Sequence, residues 1–541
     1  MHATAKSAFT TEHAKHTEKT RALGLQNSIP NSATSANSAV QSVLAFNPHA
    51  TTRIHKPVDT LAASRYTHSK SRRQRHGHYA PTAQLCEETI VRDIGSRREL
   101  FVDHWLIDRL KSTTLALHQP TPREIVIRFN KSWERHFVGY CTMLLDDDTY
   151  RLYYRGSPAA EQGRQVTCYA ESRNGTRFSR PDLGIHEIDG TTDNNVILHN
   201  AGDMTHNFSP FIDTRPGVPA SKRFKAVGGS GRSGLLAYVS TDGIQWKSLR
   251  KKPIITKGAF DSQNLVFWSE AEERYLCYFR IFANGVRTVS RTTSPDFIHW
   301  DEPQQMSYGD TPPEQLYTSQ TGPYFRAPHI YVATPARFMP DRKVITPEQA
   351  KAIKVHPNYD HDCSDAMLMT SRGGTVYDRT FMEAFVRPGI GPQHWVSRTN
   401  YPALGIVPTG PAEMSLYVQR RYAQPTACLQ RLTLRTDGFA SVHAPYRGGE
   451  MLTQPLTFAG SQLEINYSTS AAGSLRVEVQ DAKGKPIPGY TLRDAPKIVG
   501  DEIQRIVAWK KTGTDVAPLA GQPVRLRFVM RDADLYSLRF H

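Results

Sequence analysis

The heptapeptide STDGIQW at residues 240–246 decides the fold, because variants of it recur along the chain. Its Asp-Gly pair supplies the positive φ angles that a tight hairpin turn requires, and a Trp follows three residues later. The other copies are SRNGTRF at 172–178, SPDFIHW at 294–300, SRGGTVY at 371–377 and the degenerate RTDGFAS at 435–441. Successive copies start 68, 54, 77 and 64 residues apart. We expect the Trp, Phe or Tyr of each copy to pack between neighbouring sheets.

Around each copy, short apolar segments alternate with turn residues. In the first repeat, FVGYCTMLLDDDTYRLYYRGS at 137–157 and VTCYAESRNGTRFS at 166–179 each give two strands around a turn. Four-stranded units at such intervals indicate a β-propeller, here with five blades. A β-rich protein with unrelated Asp-Gly turns is the alternative. After residue 445 the repeat stops, and alternating apolar and polar residues predict a β-sandwich.

The predicted fold class is therefore all-β, in three regions. Residues 1–93 are basic, rich in Ser, Thr and His, and almost without apolar periodicity, so we predict a disordered tail. Residues 94–444 form the five-bladed propeller, and residues 445–541 form the C-terminal β-sandwich. The first residues contain no apolar segment typical of a secretory signal, and they do not indicate where the protein is located.

The net charge and the cysteine content limit the classes of function that the sequence allows. The net charge of +16 is typical of nucleic-acid-binding proteins, but no RNA-binding or helix-turn-helix signature accompanies it, and an acidic polysaccharide is an equal partner for such a surface. We predict no nucleic-acid partner. The sequence contains no run of eighteen apolar residues, so we predict no membrane span. The cysteines are interpreted as buried free thiols: Cys86, Cys141, Cys168, Cys277, Cys363 and Cys428. The sequence does not indicate an oligomeric state.

Candidate catalytic residues are the carboxylates that start inner strands or follow second strands, since both positions reach the same mouth of a propeller channel. Cleavage of a glycosidic bond uses two carboxyl groups, one protonated as acid and one ionised as base or nucleophile. Asp261 is the first candidate, because Ser262 beside it can donate hydrogen bonds to sugar hydroxyls. The others, in order, are Glu314, Glu134 and Asp365. A loop carboxylate that is solvated or ion-paired is the alternative for each.

Arginines and polar side chains fall at the same mouth. Arginine binds carboxylate or sulfate through two parallel hydrogen bonds, so the arginines predict an anionic sugar; pairing with the mouth carboxylates is the alternative. The predicted substrate-binding residues are Arg155, Arg280, Arg326, Arg337, His206, Asn207, Gln263, Asn264 and Trp395. Trp395 is either a stacking platform for a sugar ring or a core residue. HPNYDHD at 356–362 is interpreted as a polar loop, and we predict no metal and no cofactor.

The turn motif and the two-domain order resemble the five-bladed glycoside hydrolases of families 32 and 43. RELFVDHWLIDRL (98–110), PPEQLYTSQTGPYFRAPHIYVATPARF (312–338) and YPALGIVPTGPAEMSLYVQRRY (401–422) are also similar to uncharacterised family-32-like proteins of planctomycetes. The resemblance implies a carboxylate on the first inner strand, which Glu134 or Asp103 would supply. It implies a Glu acid on the third blade, where this chain has Asp261, and an Asp on the second blade, where THNFSPF has none.

We therefore expect a carbohydrate-active enzyme that hydrolyses a glycosidic bond with two carboxylates in the propeller funnel, acting on an anionic glycan. Asp261 and Glu314 are the leading acid and base. A glycoside phosphorylase, which would bind phosphate with the mouth arginines, is one alternative. A glycan-binding propeller without catalysis and a purely structural interaction propeller are the others.

Overall fold

The computed structural model describes residues 90–158 and 164–541. Most of the tail predicted at 1–93 lies outside the described residues, and the first strand begins at Arg92. Five strands precede the first complete blade: β1 (Arg92–Gly95), β2 (Glu99–Leu100), β3 (Ile107–Lys111), β4 (Thr114–Leu117) and β5 (Thr121–Arg128).

The next four-stranded sheets are the first three blades of a propeller. Blade I consists of β6 (Gly139–Asp146), β7 (Thr149–Gly156), β8 (Val166–Ser172) and β9 (Val196–His199). Blade II consists of β10 (Ser209–Ile212), β11 (Phe224–Ser230), β12 (Gly234–Ser240) and β13 (Lys247–Ser248). Blade III consists of β14 (Leu265–Ser269), β15 (Arg274–Ala283), β16 (Val286–Ser294) and β17 (Gln304–Gln305).

Blades IV and V complete the ring, so the prediction of a five-bladed all-β propeller is confirmed. Blade IV consists of β18 (Thr321–Tyr324), β19 (Ala327–Ala333), β20 (Ala336–Met339), β21 (Cys363–Ala366) and β22 (Met369–Ser371). Helix α1 (Pro347–Ile353) lies between β20 and β21. Blade V consists of β23 (Tyr401–Pro402), β24 (Val407–Pro408), β25 (Glu413–Arg420), β26 (Cys428–Arg435) and the early strand β5. Short 3-10 helices occupy Gly202–Thr205, Ala220–Lys222, Pro357–Tyr359, Pro392–His394 and Ala517–Leu519.

The recurring turn attaches each blade to the one before it. In blade II, Ser240 Oγ accepts hydrogen bonds from the backbone N–H groups of Asp242 and Gly243. Gly243 has φ +76°, and a Cβ there would lie 2.6 Å from the Tyr153 hydroxyl of blade I. The Trp246 ring packs edge-on against Tyr153, with ring centroids 6.4 Å apart. The predicted packing of this aromatic residue between sheets is confirmed.

Acidic residues at the same ends of the blades bind the following blade. Asp213 of blade II accepts a hydrogen bond from the Tyr275 hydroxyl of blade III at 2.7 Å. Glu272 of blade III accepts one from the Tyr331 hydroxyl of blade IV at 2.8 Å. These contacts between blades occupy the end of the ring that carries the recurring turns. The opposite end, where the inner strands begin, is left available for a ligand.

Six C-terminal strands belong to one ten-stranded sheet that encloses a single hydrophobic core. The strands are β27 (Ala440–Ala444), β28 (Gly449–Thr453), β29 (Leu456–Phe458), β30 (Leu463–Asp481), β31 (Asp501–Ile506) and β32 (Val524–Phe540). Strands β30 and β32 pair along most of their lengths and shift register between Asn466 and Tyr467 and again between Thr469 and Ser474. A sheet folded over one core agrees with the predicted sandwich.

The strand pairing differs from the predicted division at residues 94 and 445. Strand β1 pairs with β29, β2 with β32, β3 with β28 and β4 with β27. Residues 94–117, which the sequence analysis assigned to the propeller, therefore belong to the C-terminal sheet, together with residues 92–93 of the predicted tail. The physical reason is that strand partners so far apart in sequence leave no local signal.

Two further expectations concern side chains and membranes. Cys141, Cys168, Cys277, Cys363 and Cys428 are buried and free, as predicted, and Cys86 lies outside the described residues. Among residues 90–158 and 164–541, no helix has the length and apolar content needed to cross a bilayer.

Candidate active site at the funnel mouth

The backbone departs from regular geometry where the inner strands begin. Tyr140, Phe260, Gln320 and Arg398 have φ values of +53°, +53°, +49° and +55°, and they lie at or shortly before the inner strands of blades I, III, IV and V. Bulky residues seldom adopt this left-handed conformation, and such strain concentrates at ligand-binding positions. The backbone strain therefore marks the mouth as a candidate ligand-binding site.

Asp261 lies at this mouth, as predicted. Its side chain is 53% exposed and forms an ion pair with Arg280, which is itself buried. The Tyr140 hydroxyl donates a hydrogen bond of 3.1 Å to the Asp261 carbonyl oxygen, which connects blade I to blade III. An exposed carboxylate on a braced loop can reach a ligand without moving the backbone.

Three arginines lie around the mouth, each against a tyrosine ring. The guanidinium carbon of Arg155 is 4.8 Å from the Tyr140 ring centroid, and that of Arg280 is 5.0 Å from the Tyr317 centroid. Arg398 lies 5.5 Å from the same Tyr317 centroid. Within the described residues, neither Arg155 nor Arg398 has a carboxylate partner. The mouth therefore carries excess positive charge over Asp261 and favours an anionic ligand.

His206 is held beside Arg155 as a neutral ring. Its Nδ1 lies 3.4 Å from Arg155 Nη1 and 3.0 Å from the Gln165 amide oxygen, and its ring packs edge-on against Tyr140. Burial, and then the charge of Arg155, lower the pKa of His206 to about 3. At neutral pH the ring can form hydrogen bonds to a ligand but carries no charge.

Blade IV contributes an insertion that the sequence analysis did not recognise. The chain between β20 and β21 contains α1 and ends in the predicted polar loop HPNYDHD. Tyr359 of this loop is buried in an apolar cluster with Phe137, Val396 and Tyr422. Its ring lies 5.1 Å from the Arg398 guanidinium carbon, so the insertion forms part of the mouth. Arg398 is a further mouth residue that the sequence analysis did not predict, although it lies just before the inner strand β23.

Glu314 and Asp365 lie together, but on a different surface from Asp261. Arg337 donates to both oxygens of Asp365, at 2.9 and 2.7 Å, and to Glu314 at 2.9 Å. The second Glu314 oxygen lies 2.7 Å from Arg379. Arg337 faces Asp365 across the β20–β21 pair. Phe338, the next residue, packs against Tyr317 of the mouth and also lines the cavity that contains Glu314, Arg337 and Asp365, so its ring stands between the two.

Glu134 and Arg326 are not at the mouth. Glu134 is fully buried, where Arg180 binds both of its oxygens at 2.6 and 3.0 Å and Tyr154 donates a third hydrogen bond. Arg326 lies in the β18–β19 turn and binds Asp437 at 2.9 Å, next to the C-terminal sheet. The structure corrects both predictions. At these positions the backbone directs the side chains away from the channel, where they form structural ion pairs.

Three predicted substrate-binding amides belong to the fold. Asn207, Gln263 and Asn264 are at most 1% exposed. Asn207 hydrogen-bonds Gly229 in both directions, and Gln263 donates to the Thr142 hydroxyl at 2.8 Å. Their polar atoms fix the starts of the inner strands against each other, and the burial of all three argues against their predicted contact with substrate.

Several solved structures resemble the chain in fold, while no protein-family profile and no curated protein matches it. A glycosyl hydrolase from Bacteroides ovatus aligns with 62% of this chain and 93% of its own, at 14% identity and TM-score 0.35. An N-acetylgalactosamine deacetylase from F. plautii, in complex with blood group B trisaccharide, aligns with 61% of this chain and 97% of its own, at 11% identity and TM-score 0.38.

A third structure comes from the GH130 family of mannoside phosphorylases, described as containing glycoside hydrolases that target β-1,2 mannosidic linkages in Candida mannan. It aligns with 60% of this chain and 94% of its own, at 13% identity and TM-score 0.34. The low sequence identities and TM-scores show a similarity of fold and do not identify the reaction of this chain.

Proposed function

We propose that the protein is a carbohydrate-active enzyme that cleaves a glycosidic bond in an anionic glycan at the propeller mouth. The observation that carries the proposal is the exposed Asp261 carboxylate among Arg155, Arg280 and Arg398. The carboxylate can act as an acid or base at the bond. The guanidinium groups of Arg155 and Arg398, which have no carboxylate partner among the described residues, can bind a carboxylate or sulfate on the sugar. His206 stays a proposed substrate contact beside Asp261. Trp395, which lies with Arg387 and Phe338 around a separate cavity, stays a proposed contact for a more distant sugar unit.

The proposed second carboxyl group is Glu314, with Asp365 as the alternative. Both are bound by Arg337, so either must exchange that partner before it reaches a bond next to Asp261. Cleavage with two carboxylates therefore requires a rearrangement between Tyr317 and the β20–β21 strands. Glu134 is not proposed for this role, because it is fully buried.

The test is a panel of neutral, uronic acid and sulfated oligosaccharides, assayed with the unmodified chain and with Asp261→Asn. We expect turnover of an anionic member and a loss of about 10²- to 10⁴-fold in kcat for Asp261→Asn, the usual contribution of a general acid or base. The melting temperature should fall only slightly, because Asp261 is half exposed although its partner Arg280 is buried. Full activity of the variant would remove Asp261 from the mechanism.

A glycoside phosphorylase is the second candidate, favoured by the absence of carboxylate partners for Arg155 and Arg398 within the described residues. The same panel assayed with and without inorganic phosphate separates the two reactions. A sugar phosphate that forms only when phosphate is present identifies the phosphorylase, and a rate independent of phosphate identifies the hydrolase.

A further inference from the structure

A cavity of about 780 Å³ lies beside the mouth, between the loops of blades IV and V. This volume falls in the range of small-molecule sites in proteins. Its lining combines aromatic and apolar side chains with exposed arginines, including Phe338, Trp395, Pro388, Arg342 and Arg387. Aromatic faces with a few polar groups around them are the usual surface for a sugar ring.

The carboxylates of this cavity are already occupied. Glu314 is held between Arg337 and Arg379, and Asp365 accepts hydrogen bonds from Nε and Nη2 of Arg337. These four charges cancel one another. A wall in which each carboxylate is bound by a guanidinium group can shape a ligand-binding surface but has no free acid or base to offer a reacting bond.

The remaining charge of the cavity is positive. Arg342 and Arg387 are exposed, and neither forms an ion pair with another residue in 90–158 or 164–541. The Trp395 indole N–H donates to the Gly389 carbonyl oxygen at 2.9 Å, which fixes one orientation of the ring at the cavity edge. The cavity therefore presents a fixed aromatic face and two free guanidinium groups.

One aromatic wall separates the cavity from the mouth. Phe338 lines the cavity, and its ring centroid is 5.6 Å from that of Tyr317. Tyr317 lies under Arg280, which binds Asp261. A glycan chain that extends beyond the bond at Asp261 can therefore pass over this wall into the cavity.

We infer that the cavity is a separate binding subsite for further units of an anionic oligosaccharide, with Trp395 against a sugar ring and Arg387 and Arg342 on its acidic groups. The inference rests on the proposed function of the mouth and adds a site that binds without cleaving. It assigns Glu314, Arg337 and Asp365 to the structure of the cavity wall, in competition with the proposed catalytic role of Glu314.

The experiment measures binding as a function of chain length. Oligogalacturonides of one to six units and heparin-derived di- to hexasaccharides are titrated into Asp261→Asn, which keeps the ligand intact, and the Kd of each is determined. In both series, we expect the longer members to bind about tenfold more tightly than the shortest member that binds. The uronate and sulfated arms identify which acidic group is preferred.

Two second-site variants in the Asp261→Asn chain test the cavity itself. Trp395→Ala and Arg387→Gln should each abolish the tenfold gain with length while changing the Kd of the shortest ligand less than twofold. Arg493→Gln, an exposed arginine of the C-terminal sheet domain, is the matched control and should leave the gain unchanged. Melting temperatures of all variants confirm that they are folded.

The outcomes separate the two proposals. Absence of binding by every acidic oligosaccharide contradicts the proposed function of the mouth. Binding of short ligands without a gain in affinity with length, or a gain that survives both cavity variants, overturns the inference about the cavity and leaves the mouth proposal intact.

Discussion

Two carboxylates that the sequence presents alike, Asp261 and Glu134, have opposite surroundings. Asp261 is 53% exposed, whereas Glu134 is fully buried with Arg180 on both oxygens. Breaking one partner of a buried ion pair costs about 3 kcal/mol or more, because the other charge stays buried and unpaired. Glu134→Gln should therefore lower the free energy of unfolding by about 3 kcal/mol, measured by urea titration.

The matched comparison is Asp261→Asn, an amide substitution of the same kind at the mouth. It leaves the buried Arg280 without its ion-pair partner, but Asp261 itself is half exposed, so the variant should lower the free energy of unfolding by about 1 kcal/mol, less than Glu134→Gln does. Equal destabilisation by the two variants would contradict the assignment of one carboxylate to structure and the other to function.

His206 makes stability depend on pH in a predictable direction. Its pKa is lowered from 6.5 to about 3 in the folded chain, with Arg155, Asp261 and Asp203 as the charged groups that act on it. Between those values the unfolded chain binds more protons, so the His206 contribution is present above pH 6.5 and is lost as the pH falls towards 3. His206→Asn should lose less stability than the unmodified chain between about pH 7 and about pH 4.5.

The measurement is a pair of urea titrations, at the two pH values, for each chain. Because other groups titrate in the same range, the difference between the chains isolates His206. An identical pH dependence in both chains would show that the ring is as easily protonated when folded as when unfolded.

At the residue scale, the sequence predicts which segments reach the mouth but not where each side chain points. Asp261 and Arg155 could be predicted because Asp261 lies shortly before β14 and Arg155 lies at the end of β7, and both strands are recognisable in the sequence. Asn207 and Gln263 occupy equivalent positions and are used by the fold, since a loop residue that precedes a strand can face either side. Tyr359 carried no signal, because its loop is polar in sequence and its apolar partners, Phe137 and Tyr422, are distant along the chain.

At the element scale, the recurring turn joins blades, and its glycine shows this most directly. Gly243 combines φ +76° with a Tyr153 hydroxyl 2.6 Å from the position of a Cβ, whereas Gly285 has φ +77° and open space. Alanine in the left-handed region costs about 1–2 kcal/mol, and overpacking costs about 1–3 kcal/mol more. Gly243→Ala should therefore lower the free energy of unfolding by about 3 kcal/mol, and Gly285→Ala by about 1 kcal/mol.

The urea midpoints of these two alanine variants measure the blade contact separately from the backbone conformation. A similar shift in both would mean that the turn is required for its φ angle alone.

The sequence could predict this element well, because its Ser, Asp, Gly and Trp are local in the chain. It could not predict that blade V is completed by β5, since that strand lies about three hundred residues before its partner β26.

At the scale of the whole molecule, one early segment completes both domains. Strand β5 closes the propeller, while residues 92–117 supply four strands to the C-terminal sheet. Ile94, Phe101 and Leu106 of that segment are at most 1% exposed within the core of that sheet. The compact sandwich predicted at 445–541 therefore lacks part of its core, and the two domains depend on one continuous stretch of chain.

Residues 445–541 expressed alone should not unfold cooperatively. A fused chain should, in which residues 90–118 are joined to residues 439–541 by an Asn-Gly linker. A short linker suffices because Leu117 pairs with Ala440 and the His118 N–H donates to the Phe439 carbonyl oxygen at 2.9 Å, so the join is a hairpin. Thermal melting followed by circular dichroism measures both chains, and Ile94→Asp in the fused chain, which buries an unpaired charge, should abolish the transition. Cooperative unfolding of residues 445–541 by themselves would show that the sheet is already stable without the early strands.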